Sequence, residues 1–319
     1  MAAPIRSDNQ ALSGWVILDK PLGLGSTTAV SAVKRILRQA GEPKTRVGHG
    51  GTLDPLASGV LPIALGEATK LAGRMLDATK AYDFTITFGE ATDTLDREGK
   101  IVATSDIRPT LARIESILPH FTGEIEQVPP AFSALKIDGK AAYSRARAGE
   151  DFKLKPRTVT IHSLRVSASP REENDLSRSR EGAECVQDVT LEATVSKGTY
   201  IRSLARDIAE ALGTVGHVSY LRRTRAGPFT LEQAISLDFL EEAAKARGFD
   251  RAVVPLDAAL DDIPALPVTP DQAQLLRHGQ RLFGFPERRG LQLATSDGVP
   301  VALVEALADG LKVVRGFNL

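Results

Sequence analysis

Strand-like and helix-like segments follow one another irregularly in this chain, and their order restricts the fold more than any other feature. Alternation of apolar with polar residues predicts a half-buried strand through Tyr82, Phe84, Ile86 and Phe88. Short apolar segments predict further strands at residues 15–18, 60–65, 159–166 and 189–195. Apolar residues at helical spacing predict helices at residues 26–41, with Ser26 as N-cap, and at residues 67–76, 110–118 and 201–212. Because no strand–helix–strand repeat runs through them, we expect an α+β fold with a mixed, largely antiparallel sheet flanked by helices.

Composition divides the chain into a large and a small domain. Residues 1–13 are polar and predict a disordered lead-in to a large domain at residues 14–255. Pro, Asp and Ala dominate residues 253–270, which is typical of a linker. A small β-rich domain is expected at residues 262–319, from apolar segments at 291–294, 301–304 and 311–314. The polar residues 170–182 predict a flexible loop.

Several classes of protein are excluded by what the sequence lacks. No apolar run approaches the ~20 residues of a membrane helix, and the N-terminus has no secretion signal. Cys185 is the only cysteine, so we expect no disulfide and a reducing, cytoplasmic location. The five histidines lack partners at metal-ligand spacing, and Asp93, Asp96 and Glu98 do not fit a calcium loop. No phosphate-binding loop or dinucleotide motif is present. We therefore expect no metal and no cofactor.

Charge is balanced overall but unevenly distributed. Forty basic and forty acidic residues give a net charge of zero, which argues against an indiscriminate polyanion binder. Three segments are basic: residues 19–46 (six Lys/Arg, two acids), 136–157 (seven, three) and 197–225 (six, two). Each alone is typical of solvated surface. Together they predict one basic face if the fold brings them side by side.

Two short segments carry residues suited to chemistry. The first, GHGGTLDPLASGVL at residues 48–61, places Asp54 in a glycine-rich turn before an apolar strand. Alone, this pattern is more often only a turn. The second begins a helix with Tyr200 and Arg202, where the helix dipole disfavours a cation, so Arg202 calls for an anionic partner. Alone, an arginine at such a position is more often a surface residue without a function. A carboxylate, a cation and aromatic rings together fit an enzyme that extrudes one RNA base, with Tyr82 and Tyr200 as the rings.

The motifs of the chain resemble those of the bacterial tRNA pseudouridine-55 synthases, the TruB family. They run in the family's order through ILDKP (17–21), residues 48–61, GEATK (66–70), KAY (80–82), VPP to SALK (128–136), SKGTYIR (196–202) and YLRR (220–223). This resemblance implies isomerisation of the uridine at position 55 in the T loop of tRNA, without a cofactor. It also implies a pseudouridine-synthase catalytic domain and a small C-terminal PUA-like domain. A monomer is our default expectation, and the sequence leaves the oligomeric state open.

The resemblance also implies roles for single residues. Asp54 is expected to be the catalytic aspartate, Arg202 its ion-pair partner and Tyr82 the ring that stacks on the target base. Tyr200 is expected to contact the flipped nucleotide, His49 to hold the rearranged T loop, and Lys20 and Leu221 to line the pocket. Residues 127–157 resemble the family's mobile insertion that closes over the T arm. The residues expected to bind RNA are Lys70, Lys136, Arg145, Arg147, Arg222 and Arg223.

Two points stay open at this stage. The carboxylate of Asp54 can attack C1′ of the ribose or remove the C2′ proton, and the sequence favours neither. The family usually has Thr where this chain has Gly50, which puts the rigidity of the loop in question. Two other functions fit parts of the sequence: an RNA-binding or tRNA-folding module without catalysis, and an Asp-dependent nucleosidase or hydrolase. The first does not need Asp54, and the second leaves the basic segments unexplained.

Overall fold

The structure is a computed structural model that describes residues 11–133, 135–137, 139–150, 152–167, 185–285 and 290–319. Residues 1–10 of the predicted lead-in and the whole predicted loop at residues 170–182 lie outside this range.

The described residues form seven α-helices and seventeen strands. The helices are α1 (Ser26–Gln39), α2 (Ala72–Asp77), α3 (Leu111–Ile117), α4 (Ala142–Arg147), α5 (Ile201–Ala211), α6 (Leu237–Lys245) and α7 (Pro270–Arg277). The strands are β1 (Gly14–Lys20), β2 (Val47–His49), β3 (Ser58–Leu65), β4 (Lys80–Phe88), β5 (Glu90–Thr92), β6 (Ile101–Thr104), β7 (Gly123–Gln127), β8 (Lys136–Ile137), β9 (Lys140–Ala141), β10 (Arg157–Val166), β11 (Asp188–Val195), β12 (Gly216–Ala226), β13 (Phe229–Thr230), β14 (Ala265–Pro267), β15 (Gly290–Ser296), β16 (Val299–Leu307) and β17 (Gly310–Gly316).

The chain divides into two compact units, and the first contains residues 1–53, 59–76 and 227–319. In this unit β1 and β2 each pair antiparallel with β3. Trp15 is fully buried, donates from Nε1 to the carbonyl of Leu256 (3.1 Å) and packs against the ring of Phe229. Helix α1 packs against α6, with its apolar side buried. This core therefore joins the N-terminal strand to segments that follow residue 227.

A second sheet in the same unit is built from the C-terminal residues. Strand β14 pairs parallel with β15, whereas β15–β16 and β16–β17 are antiparallel. Helix α7 covers this sheet, and Ala273 and Leu276 are buried among Val301, Val304 and Leu311. The predicted C-terminal β-rich region is thereby confirmed.

The second unit contains Asp54–Ser58 and Asp77–Ala226. Its main sheet has the order β12-β4-β11-β10-β7, and the pairs β4–β12, β4–β11, β10–β11 and β7–β10 are antiparallel. Helix α5 packs against β12 and β4. A Cβ on Gly216 would lie 3.0 Å from the carbonyl oxygen of Thr87 and 3.1 Å from Cβ of Ala209, so glycine permits this close approach. The C-terminal part of α5 thereby packs closely against the sheet.

The sequence predicted the class of fold and most strands correctly, but three local predictions were wrong. The α+β fold and the strand through Tyr82 and Phe88 are confirmed. Gly25, not Ser26, is the N-cap of α1, because the Ser26 hydroxyl bonds to Leu53 instead. The helix predicted at residues 67–76 begins as a 3-10 helix, Gly66–Leu71, before α2. The predicted linker at 253–270 is folded, with a 3-10 helix at Leu256–Leu260 and strand β14.

Candidate active site

Hydrogen bonds to backbone groups hold the turn that carries Asp54. Leu53 is buried, and its N–H donates to the hydroxyl oxygen of Ser26, which in turn donates to the Leu53 carbonyl, both at 2.8 Å. The carbonyl of Asp54 accepts from the N–H of Ala57 at 3.0 Å, which closes the turn around Pro55. The position of the Asp54 backbone is therefore fixed, while its side chain is 39% exposed.

Arg202 lies in the first turn of α5 and is the centre of a charged cluster. Its side chain is only 7% exposed. Nη2 lies 2.9 Å from Oδ2 of Asp54, and Nη1 lies 3.3 Å from Oδ2 of Asp96. Nη1 and Nη2 also donate to the carbonyls of Thr94 (2.8 Å) and Phe132 (3.1 Å). Arg202 was expected to have an anionic partner, and it has two, the carboxylates of Asp54 and Asp96.

Asp96 was not among the predicted site residues. Its side chain is 11% exposed, and Oδ1 accepts from the hydroxyl of Thr94 (2.6 Å) and the N–H of Glu98 (3.0 Å). Asp96 is therefore a fixed, buried anchor for Arg202, whereas Asp54 is the carboxylate that faces solvent. The only signal in the sequence was the unfavourable place of Arg202 at a helix N-terminus.

The two predicted tyrosines lie at different places in the second unit. Tyr82 is half-buried on β4, opposite Ala193 of β11 and Arg223 of β12. Tyr200 is the N-cap of α5, and its N–H donates to Oε1 of Gln127 at 2.8 Å. The face of its ring lies against the guanidinium of Arg157, whose Cζ is 4.8 Å from the ring centroid. Neither Gln127 nor Arg157 was predicted from the sequence.

The remaining predicted pocket residues belong to both units. Lys20 is fully buried at the end of β1 and donates to the carbonyls of Pro21 (3.0 Å) and Leu24 (2.7 Å). His49 ends β2, and its Nδ1 accepts from the N–H of Gly51 at 3.3 Å. Both lie in the first unit, whereas Leu221 lies buried on β12 in the unit of Asp54. Asp54 and Arg202, both predicted site residues, form a direct ion pair.

The predicted RNA-binding residues differ in their accessibility. Lys136 and Arg147 are exposed, and the guanidinium of Arg147 lies 5.8 Å from the ring of Tyr143. Arg145 and Arg222 are half-buried; Arg145 pairs with Glu150 at 2.7 Å, and Arg222 donates to the Ser58 hydroxyl at 3.3 Å.

The other two predicted RNA-binding residues, Lys70 and Arg223, are engaged by other groups or buried. Lys70 pairs with Glu67 at 2.6 Å and donates to the carbonyl of Gly316 at 2.8 Å. Arg223 is 1% exposed. Neither side chain is presented to solvent as a free cation.

Two ionisable groups beside Tyr82 on β4 have shifted pKa values. Burial, reinforced by the positive charges of Arg223 and Lys197 and opposed by Asp77, lowers the pKa of Lys80 to about 8. Burial and then the negative charge of Glu192 raise the pKa of Asp83, against the opposing charges of Arg222 and Arg165. The strand that carries Tyr82 therefore also carries a lysine with a pKa of about 8.

Gly50 is required by packing rather than by its backbone angles. Of the three glycines in GHGG, Gly51 has a positive φ of 135°, whereas Gly48 and Gly50 do not have one. A Cβ on Gly50 would lie 2.6 Å from Cβ of Met75, which is buried. The methionine therefore occupies the space that a larger residue at position 50 would need.

In the part of the chain that the structure describes, no group of three His, Cys, Asp or Glu side chains could hold a metal ion. No helix in that part is both long enough and apolar enough to span a membrane.

Comparison with known protein families decides the class of the protein. Residues 34–201 match the family model for the N-terminal domain of TruB family pseudouridylate synthases. The chain belongs to the TruB family. Residues 202–261 match a second model, the C-terminal domain of tRNA pseudouridylate synthase B. Asp54 and Tyr200 lie in the first match, and Arg202 is the first residue of the second.

Individual relatives agree with this assignment over nearly the whole chain. The tRNA pseudouridine synthase B of Novosphingobium aromaticivorans is 59% identical over 308 residues, which is 97% of this chain and 98% of that protein. The enzyme of the same name from Zymomonas mobilis is 57% identical and covers 98% of both chains. Among solved structures, an H/ACA RNP bound to a substrate RNA containing 2′-deoxyuridine contains a chain with a TM-score of 0.69. That chain is 27% identical, and the match covers 96% of this protein and 85% of that chain. This TruB family member is thus a pseudouridine synthase.

Proposed function

We propose that the protein isomerises uridine to pseudouridine at position 55 in the T loop of tRNA. The observation that carries the proposal is the ion pair between Asp54 and Arg202, in which the arginine is buried and the carboxylate is accessible. The relatives named tRNA pseudouridine synthase B support tRNA as the substrate. A binding module without catalysis would have no use for a carboxylate exposed towards RNA phosphates.

The reaction fits a site made only of side chains, because substrate and product contain the same atoms. The C1′–N1 bond breaks, the uracil turns, and a C1′–C5 bond forms. The proton lost from C5 is balanced by the proton gained at N1. No oxidant, reductant or group donor enters this balance.

Asp54 acts on the ribose by one of two routes. In the first, its oxygen bonds to C1′ as the C1′–N1 bond breaks, and C5 later displaces it. In the second, it takes the C2′ proton to expel the base and returns it afterwards. In both routes Arg202 holds the carboxylate in one orientation, and Asp96 holds Arg202.

The other predicted residues have proposed roles in binding the nucleotide. Tyr82 stacks on the flipped uracil, since a base outside its helix needs an aromatic surface to replace its neighbours. Tyr200 contacts the same nucleotide, His49 holds the rearranged loop, and Lys20 and Leu221 line the pocket.

Lys136, Arg145, Arg147 and Arg222 form the proposed RNA-binding set. Arg223 and Lys70 are left out of it because the first is buried and the second is engaged by Glu67 and Gly316.

The domain organisation follows the same proposal. Residues 14–255 form the catalytic domain, and residues 127–157 within it form the insertion that closes over the T arm. Residues 262–319 form the PUA-like domain. The protein acts in the cytoplasm as a monomer on one tRNA at a time.

The test uses unmodified tRNA transcript, the same transcript with U55 replaced by cytidine, and the isolated T-arm hairpin. Pseudouridine is mapped by chemical labelling and primer extension. We expect modification at position 55 of the first RNA and of the hairpin, and none in the cytidine variant. Modification at another uridine of the cytidine variant, or binding of tRNA without any modification, contradicts the proposal.

A further inference from the structure

Two residues from neighbouring strands hold Tyr200 from two sides. Gln127 ends β7 and Arg157 begins β10, and the antiparallel register places them directly opposite each other. Gln127 binds the Tyr200 backbone through Oε1, at 2.8 Å from its N–H. Arg157 binds the ring face at 4.8 Å, a cation–π contact. Backbone and ring of Tyr200 are therefore fixed by separate contacts.

The same two side chains carry buried donors without acceptors. Gln127 is 0% exposed, and its Nε2 has no hydrogen-bond partner among the described residues. The buried Nε and Nη2 of Arg157 likewise lack a partner there. Buried donors without acceptors lower the stability of a fold, and apolar side chains of similar size would avoid this loss. The two side chains therefore make their contacts with Tyr200 at the cost of leaving these donors unpaired.

Gln127 and Arg157 are connected to the site by the first turn of α5. Tyr200 caps this helix, and Arg202 follows two residues later. The turn is further tied to the residue after Gln127, since the hydroxyl of Ser203 donates to the carbonyl of Val128 at 2.8 Å. Resting on the function proposed above, we propose that Gln127 and Arg157 are positioning residues. They fix Tyr200 and the first turn of α5, and thereby the orientation of Arg202 against Asp54.

The test compares Arg157→Met and Gln127→Met with wild type, and with Arg165→Met as the matched control. Arg165 lies on the same strand β10, but its side chain is 76% exposed and pairs with Glu192 on the surface. Measurements are kcat and KM on unmodified tRNA transcript, the salt dependence of tRNA binding, and the melting temperature.

We expect kcat to fall about 10- to 100-fold in both test variants, as for a small misplacement of reacting groups. KM and the salt dependence stay unchanged. The melting temperature of Arg157→Met stays equal or rises, whereas that of Gln127→Met falls, because the Tyr200 N–H loses its acceptor. Arg165→Met keeps the wild-type kcat.

Three results would overturn the inference. The first is wild-type kcat in both test variants. The second is a fall in the melting temperature of Arg157→Met that accounts for its lost activity, which would indicate a structural role. The third concerns the slope of the logarithm of the tRNA-binding constant against the logarithm of salt concentration. If Arg157→Met reduces this salt slope by about one, Arg157 contacts a phosphate directly.

A readout independent of activity separates this inference from the proposed function. If wild type forms no pseudouridine, the proposed function fails, and a crystal structure of Arg157→Met still tests the positioning. We expect the Tyr200 ring to move and the Asp54–Arg202 pair to lengthen beyond its 2.9 Å. An unchanged pair in that structure would overturn the inference.

Discussion

Arg202 is shared by two carboxylates of unequal burial, and this difference predicts unequal effects of removing them. Asp96 is 11% exposed and Asp54 is 39% exposed. Breaking a buried ion pair by removing one partner costs about 3–5 kcal/mol, whereas an exposed pair contributes about 1 kcal/mol or less. Because Asp54 still balances Arg202 when Asp96 is replaced, we expect the lower end of the first range, about 3 kcal/mol.

The perturbations are therefore Asp96→Asn, Asp54→Asn and the double variant, measured by urea unfolding at pH 7 with far-UV circular dichroism. Asp96→Asn is expected to lower the free energy of unfolding by about 3 kcal/mol, and Asp54→Asn by about 1 kcal/mol or less. The double variant loses more than the sum, since it leaves a buried guanidinium without a carboxylate. Activity follows the opposite order: Asp96→Asn still forms pseudouridine, more slowly, and Asp54→Asn forms none.

Equal losses of stability in the two single variants would refute this reasoning. They would show that Asp54 stabilises the cluster as much as Asp96 does, and that its exposure has no functional meaning. An additive double variant would refute it as well, because it would mean that the two carboxylates do not share the charge of Arg202.

Three further predictions concern other parts of the chain. The pKa of Lys80 is about 8 in the folded protein, whereas its ordinary value is 10.5. Between these two pH values the unfolded chain binds more protons than the folded protein. The free energy of unfolding therefore rises with pH from about 8 to 10.5. Lys80→Met should remove this part of the rise in pH-dependent urea unfolding, and an unchanged slope would contradict the shift. Gly50→Thr should lower stability by about 1–3 kcal/mol through overpacking against Cβ of Met75; a neutral variant in thermal unfolding would contradict the steric reason. Arg147→Ala should weaken tRNA binding and reduce its salt slope by about one, whereas Lys70→Ala should mainly lower stability; a smaller salt slope in Lys70→Ala would return that lysine to the RNA-binding set.

The strands and most helices were predictable because their signals are local. Alternation in residues 82–88 and helical spacing in residues 201–212 each mark one buried face, and both elements formed as expected. Local signals for α7 were also present, since Thr269, Pro270 and Gln272 make a capping box with proline in the first turn. The misplaced N-cap of α1 has a tertiary cause, because the Ser26 hydroxyl is used by Leu53 rather than by its own helix.

The sequence predicted those residues of the candidate site that lie in recognisable motifs, and missed the others. Asp54 and Arg202 stand in recognisable segments, and the structure places them in one ion pair. Asp96, Gln127 and Arg157 contact the site through chain segments far away in the sequence, and strand register decides which of their neighbours they meet. The burial of Arg223 could not be predicted either, because a charged residue in a basic segment does not indicate which side of its strand faces the core.

The most direct test of the central claim, that Asp54 is the reacting group, is the single-turnover rate of pseudouridine formation in Asp54→Asn. The substrate is tRNA transcript with saturating enzyme, and the exposed Asp106→Asn serves as a control for the chemical change. The account predicts no pseudouridine above background in Asp54→Asn, with tRNA still bound, and wild-type rates in Asp106→Asn. Measurable turnover by Asp54→Asn would contradict it.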